Sequence, residues 1–135
     1  MSLSDLSVFV YGTLKPGGRY WPAFCAGKVD EPVPAKIRGE LYDLHVGYPG
    51  LLLQGDSWVS GYILNFKTAE DLARLDGLEG YHSERSYAEN EYIRLKLPAY
   101  SVSGEPLGKV WAYEITKPML HRCQGTLIPD GNWPA

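Results

Sequence analysis

Trp58-Val59-Ser60-Gly61-Tyr62-Ile63-Leu64-Asn65-Phe66 is the stretch on which the fold turns. Aromatic and β-branched residues crowd it, as they do a pleated, half-buried strand. Gly61 interrupts it, and a glycine inside a strand marks a bulge, a tight bend or the close approach of another backbone. Ala35 to Leu44 is built the same way, with Ile37, Leu41 and Leu44 as apolar positions and Gly39 inside. Two bent strands with interior glycines point to a curved sheet or small barrel, whose corners need such residues.

Further strands lie on either side. Leu6, Val8 and Val10 alternate with Ser7 and Phe9 in a run that stops at Gly12. Leu51 to Gln54 is a short apolar strand after the Gly47 to Gly50 turn. Glu91 to Leu97 sets Tyr92, Arg94 and Lys96 on one face and Ile93, Leu95 and Leu97 on the other. Lys109 to Ile115 alternates likewise, with Pro98 to Gly108 as a hairpin connection. Helix signals are fewer. Thr68 is a capping residue with Asp71 three positions on, Leu72, Leu75 and Leu78 recur at spacing three, and Gly77 and Gly80 end the segment. Trp21 to Ala26, with Pro22 near its start, reads as a short helical turn, and Lys117 to Ala135 as irregular. The class is α+β, a mixed, mostly antiparallel, barrel-like sheet with one clear helix.

Composition bounds what such a chain does. Its 135 residues fit a single domain, 1–135. The 15 glycines and 10 prolines make it turn-rich, while 44% hydrophobic residues supply the apolar surface that a disordered chain lacks. A net charge of -3 offers no basic patch for a phosphate backbone, so no nucleic-acid partner is expected. The densest charge, Glu84 to Lys96, mixes both signs and reads as solvated surface. Met1 to Ser7 has no basic region, and the apolar run Val8 to Val10 is too short for a signal peptide. No segment approaches the roughly 20 apolar residues of a membrane span. The expectation is a soluble, cytoplasmic protein. Cys25 and Cys123 stand far apart, and His45, His82 and His121 are scattered, so neither a metal site nor a redox pair is expected. A cysteine nucleophile has no local signature either.

Four constellations carry possible chemistry. Tyr11-Gly12-Thr13-Leu14 follows a buried strand, where successive N–H groups turned outward form a nest for an anion or oxyanion; an ordinary tight turn has the same sequence. In Leu75-Asp76-Gly77-Leu78-Glu79-Gly80-Tyr81, the two carboxylates share a face if the helix continues, but the glycines leave Glu79 near its C-terminus. The negative end of the helix dipole raises a carboxyl pKa there, which suits a general base; a solvated glutamate at a frayed end is the plain alternative. Tyr48-Pro49-Gly50-Leu51 is a turn able to wall a pocket. Tyr92 with Arg94 places a hydroxyl and a cation on one strand face. The GxSxG elbow, the P-loop, GxGxxG and HExxH are all missing from the sequence.

In this order, VFVYGTLKPG (Val8 to Gly17), YPGL (Tyr48 to Leu51), V-x-G-x-I-L (Val59 to Leu64), LDGLEGY (Leu75 to Tyr81), Y-x-R (Tyr92 to Arg94) and KVWAYEI (Lys109 to Ile115) resemble the gamma-glutamylcyclotransferase-like family, which includes gamma-glutamylamine cyclotransferases. The resemblance implies a small β-barrel-like sheet flanked by short helices. It implies Glu79 as general acid/base and Tyr11, Gly12, Thr13 and Leu14 as substrate-binding residues; Tyr48 and Tyr92, from the turn and strand-face constellations, are added to the expected binding residues. The implied reaction is attack of a gamma-glutamyl compound's own α-amine on its γ-carbonyl, giving 5-oxoproline and a free amine without a cofactor. The C-terminal Gly131-Asn132-Trp133 departs from a family ending that has Asp in the middle, so no carboxylate role carries over to Asn132. A catalytically silent binding or regulatory domain with the same pocket is the rival reading, and the oligomeric state stays open.

Overall fold

The structure, a computed structural model, describes residues 3–134. Met1 and Ser2 of the expected leaderless start, and Ala135 of the expected irregular tail, lie outside the described residues. Eight strands and three α-helices follow one another along these residues: β1 (Ser7–Val10), α1 (Trp21–Phe24), β2 (Val33–Arg38), β3 (Glu40–Asp43), β4 (Pro49–Leu52), β5 (Trp58–Asn65), α2 (Ala69–Leu78), β6 (Tyr92–Ser101), β7 (Pro106–Ile115), α3 (Lys117–Cys123) and β8 (Thr126–Leu127). A 3-10 turn, Tyr87–Glu89, precedes β6.

β1, β5, β2, β6 and β7 close into a barrel in that order. Every neighbour pair is antiparallel except β1 with β7, whose parallel contact at Val8 and Trp111 completes the ring. Residues opposite one another on paired strands share a face. Phe9 with Ile63, Ile37 with Val59, and Leu97 with Val110 are such pairs, and they meet in one buried cluster that contains no helical residue, which is the barrel interior. The alternate residues Val8, Val10 and Leu64 face outward and pack with Leu72 and Leu75 of α2. Thr68 caps that helix, its hydroxyl accepting the Asp71 N–H at 3.2 Å. Among the described residues no helix is long and apolar enough to cross a membrane.

The interior glycines act differently from one another. A Cβ on Gly61 would stand 2.1 Å from the Val10 carbonyl oxygen and 2.8 Å from the Phe9 ring, so the glycine there admits a neighbouring strand rather than turning a corner. Gly39 ends the barrel strand altogether. The expected single strand from Ala35 to Leu44 is two: β2 stays in the barrel, while β3 leaves it to pair with β4 and β8 in a second, three-stranded sheet.

Two other expectations are corrected. The connection between β6 and β7 is much shorter than Pro98 to Gly108, because both prolines in it lie in strands. Pro106 opens β7, and Pro98, opposite Lys109 of β7, lies ahead of the β6 pairing with β2, which begins at Tyr100, so both occupy places where a strand has an unpaired side or a free end. The tail is not irregular throughout, since Pro118 in a first turn starts α3 and β8 adds to β3. Of the charged stretch Glu84 to Lys96, expected as solvated surface, Glu84 to Glu89 and Lys96 are exposed, but Asn90 and Tyr92 are buried and Glu91 and Arg94 partly so, because the chain there enters β6 and the barrel wall.

Candidate active site

Where β1 leaves the barrel, the chain enters a loop that must satisfy its own backbone. Lys15 donates its N–H to the Gly12 carbonyl at 3.1 Å, and Tyr20 donates to the Thr13 carbonyl at 2.9 Å. The N–H groups of Tyr11, Gly12, Thr13 and Leu14 meet no acceptor among the described residues. Four successive open donors beside a cavity are an anion-binding arrangement, because buried N–H groups otherwise find partners. Gly12 also packs against the Tyr48–Pro49 turn: a Cβ there would lie 2.8 Å from Pro49 Cδ.

The loop forms one wall of a cavity of about 220 Å³. At ~30 Å³ per water, that holds about seven waters, the size of one small organic group. Tyr11, Gly12, Thr13, Leu14, Tyr48 and Tyr92 all line it, and so does Glu79. Tyr92 donates its hydroxyl to the Pro49 carbonyl at 2.7 Å, fixing the turn that carries Tyr48. Tyr11 donates to the Tyr113 carbonyl at 2.6 Å, tying the loop to β7. Burial, with the nearby Glu79 charge, keeps both phenols well above their usual pKa, so they stay neutral.

Glu79 follows α2 directly. Its backbone N–H still bonds the Leu75 carbonyl at 2.9 Å, while Gly80, at φ 65°, turns the chain away. The Glu79 carboxyl has no protein donor among the described residues, and no buried side-chain oxygen there lacks a partner, so its oxygens keep accessible surface in the cavity. Its pKa is pushed up to about 8, first by burial and then by the charges of Glu91 and Asp76. The direction matches the dipole argument; the main cause is burial. Among the described residues no lysine, arginine or histidine lines the cavity to oppose it.

Asp76 has a different environment. It accepts the Tyr113 hydroxyl at 2.6 Å and pairs with Arg94 at 3.4 Å. Arg94, placed by the sequence on one strand face with Tyr92, lies over the Trp111 ring and does not line the pocket. Sequence reasoning missed Glu91, Tyr20 and Tyr113 as lining residues. Glu91 had a signal in its place just before the Y-x-R strand, but Tyr113 reaches the site only through barrel closure. Cys25 is fully buried with its thiol pushed up to about 12, so it is no nucleophile. Among the described residues no group of three His, Cys, Asp or Glu side chains is placed to hold a metal ion.

Comparison with solved structures recovers this architecture. An AIG2-like protein from Mus musculus superposes with a TM-score of 0.71 at 18% identity, over 96% of this chain and 88% of that one. Protein ytfP from Escherichia coli does so with 0.63 at 24%, over 94% and 95%. YkqA from Bacillus subtilis gives 0.67 at 17%, over 96% of this chain, which spans only 40% of YkqA. These likenesses show a shared fold. Comparison with curated proteins gives no match. The family profile described as gamma-glutamyl cyclotransferase, AIG2-like, matches residues 8–135, and the chain belongs to that family.

Proposed function

We propose that the protein is a cyclotransferase that converts a gamma-glutamyl compound into 5-oxoproline and a free amine. The observation that carries this reading is a carboxyl group with a near-neutral pKa in a small cavity opposite four open backbone donors. The substrate's α-carboxylate is received by the N–H groups of Tyr11 to Leu14, with Tyr48 and Tyr92 walling the glutamyl chain. That leaves its α-ammonium beside Glu79. The ammonium's positive charge lowers the Glu79 pKa, the carboxyl proton passes to bulk water as the substrate binds, and the carboxylate then accepts a proton from the ammonium nitrogen.

The freed amine attacks the γ-carbonyl carbon and a C–N bond closes the five-membered ring. Glu79 returns its proton to the leaving nitrogen, the old C–N bond breaks, and the second proton shed by the attacking nitrogen leaves with the departing amine. A base with a pKa near the working pH suits both halves of this exchange and contributes about 10²- to 10⁴-fold. Holding nucleophile and electrophile of one molecule in a ring-closing conformer contributes much of the rest. A panel of gamma-glutamyl amines, dipeptides and glutathione, scored for 5-oxoproline, tests the reading. Release from at least one member, lost in Glu79→Gln, supports it; silence across the panel favours a binding domain and refutes it.

A further inference from the structure

The loop that presents the open N–H groups is anchored from behind by Lys15. This side chain is only 4% exposed, which is rare for a lysine. Its ammonium donates to the Asn132 side-chain oxygen at 3.3 Å and to the Trp133 backbone carbonyl. No carboxylate lies within ion-pair distance of it among the described residues. A buried cation held by two neutral oxygens is costly to desolvate, and those oxygens are what compensates it. Both belong to the C-terminal segment.

That segment is itself fastened to the barrel. Ile128 donates its N–H to the Leu41 carbonyl at 2.7 Å, Ser60 donates to the Gly131 carbonyl at 2.9 Å, and Trp133 packs against the cluster inside the barrel. On the other side, the bonds from Lys15 to Gly12 and from Tyr20 to Thr13 make the loop one folded unit. A second cavity, of about 360 Å³, opens beside the contact and is lined by Lys15, Asn132 and Trp133. The loop therefore has room to shift if Lys15 lets go.

We propose that Lys15 is a positioning residue: its buried ammonium latches the Tyr11–Leu14 loop to Asn132 and Trp133 and so keeps the N–H row in register with Glu79. The ligand of that row rests on the cyclotransferase reading; the latch does not.

Lys15→Met keeps most of the apolar stem and removes the donors. It is expected to raise KM for the best gamma-glutamyl substrate by about tenfold, the loss typical of hydrogen bonds to a charged group, with kcat within about threefold. Amide hydrogen exchange at Gly18 and Tyr20, whose N–H groups bond the Lys15 and Thr13 carbonyls and so hold the loop folded, should quicken by about tenfold as well. Asn132→Asp offers the ammonium a charged acceptor and should slow that exchange. Because exchange needs no turnover, a wild type silent on every substrate sinks the cyclotransferase reading and still leaves the latch to be judged. Should Lys15→Met fail to fold, Asn132→Ala, which trims an exposed side chain, replaces it and should quicken loop exchange several-fold. Loop exchange unchanged in the Lys15 variant, or in its Asn132→Ala substitute, overturns the latch. A fall in kcat at constant KM in Lys15→Met overturns it too, by putting Lys15 in the chemistry.

Discussion

Replacing Glu79 with Gln separates catalysis from stability, because the residue is expected to serve one at the expense of the other. A carboxyl whose folded pKa is raised binds its proton more tightly in the folded chain than in the unfolded one. Its contribution to stability is therefore fully present below the ordinary value of 4.5 and is lost as pH rises to about 8. At about 1.36 kcal/mol per pH unit, the loss is on the order of 3 kcal/mol at pH 7 and nearer 5 kcal/mol above pH 8. Gln keeps the shape and carries no charge, so Glu79→Gln should be more stable than wild type by about those amounts and hardly different at pH 4. Near pH 7 the gain corresponds to roughly 10 °C in Tm, measured by calorimetry across pH 4 to 9. In the same samples 5-oxoproline release should fall by about 10²- to 10⁴-fold. Wild-type kcat/KM should climb about tenfold per pH unit up to about 8, then flatten or turn down as the substrate ammonium loses its proton. A variant that cyclises at a rate within about threefold of wild type, or whose stability difference does not grow with pH, refutes the assignment of a buried, near-neutral base.

Other expectations follow from single contacts. Gly12→Val puts a side chain where Pro49 Cδ stands 2.8 Å from the Cβ position; KM should rise with the circular dichroism spectrum unchanged, and an unchanged KM counts against the loop as the glutamyl site. Gly61→Ala drives a methyl to within 2.1 Å of the Val10 carbonyl and should cost about 3 kcal/mol or more in urea unfolding. Tyr92→Phe leaves the Pro49 carbonyl without its donor, for about 1–3 kcal/mol of stability together with a higher KM; loss of stability alone would argue that the turn does not touch substrate. Cys25 should resist a thiol reagent in the folded protein and react only on unfolding, which a timed colorimetric assay in rising urea reads out.

How far the sequence could be read depended on how local each determinant was. Strand alternation and the Thr68 cap are local, and they placed α2 and the barrel strands to within a few residues. Ring closure rests on β1 meeting β7 across about a hundred residues, and no pattern within either strand announces it. The corrected connection failed for the opposite reason. Pro98 and Pro106 are strong local turn signals, but one lies where β6 pairs only with β7 and the other opens its strand, so tertiary pairing overrode them. The tail failed because α3 carries only Met119 and Leu120 as large apolar residues and shows no periodic stripe.

The two carboxylates of the LDGLEGY segment show what spacing alone leaves undecided. Asp76 and Glu79, three apart, share a face only while helical geometry lasts. The helix ends at Leu78, and Glu79 has left it with ψ near 0°. Asp76 therefore points to β6 and β7, where the Arg94 guanidinium and the Tyr113 hydroxyl hold it, while Glu79 turns into a cavity that has no cation. The acceptor sites of Asp76 are taken by a guanidinium and a hydroxyl, whereas a desolvated carboxyl beside two like charges is a good proton acceptor near neutrality. Asp76 takes part twice over, by fixing the end of the helix and by adding its charge to those that raise Glu79. The proposed assignment of the base thus rests on the partner each carboxylate lacks or has, and those partners come from strands distant in the chain.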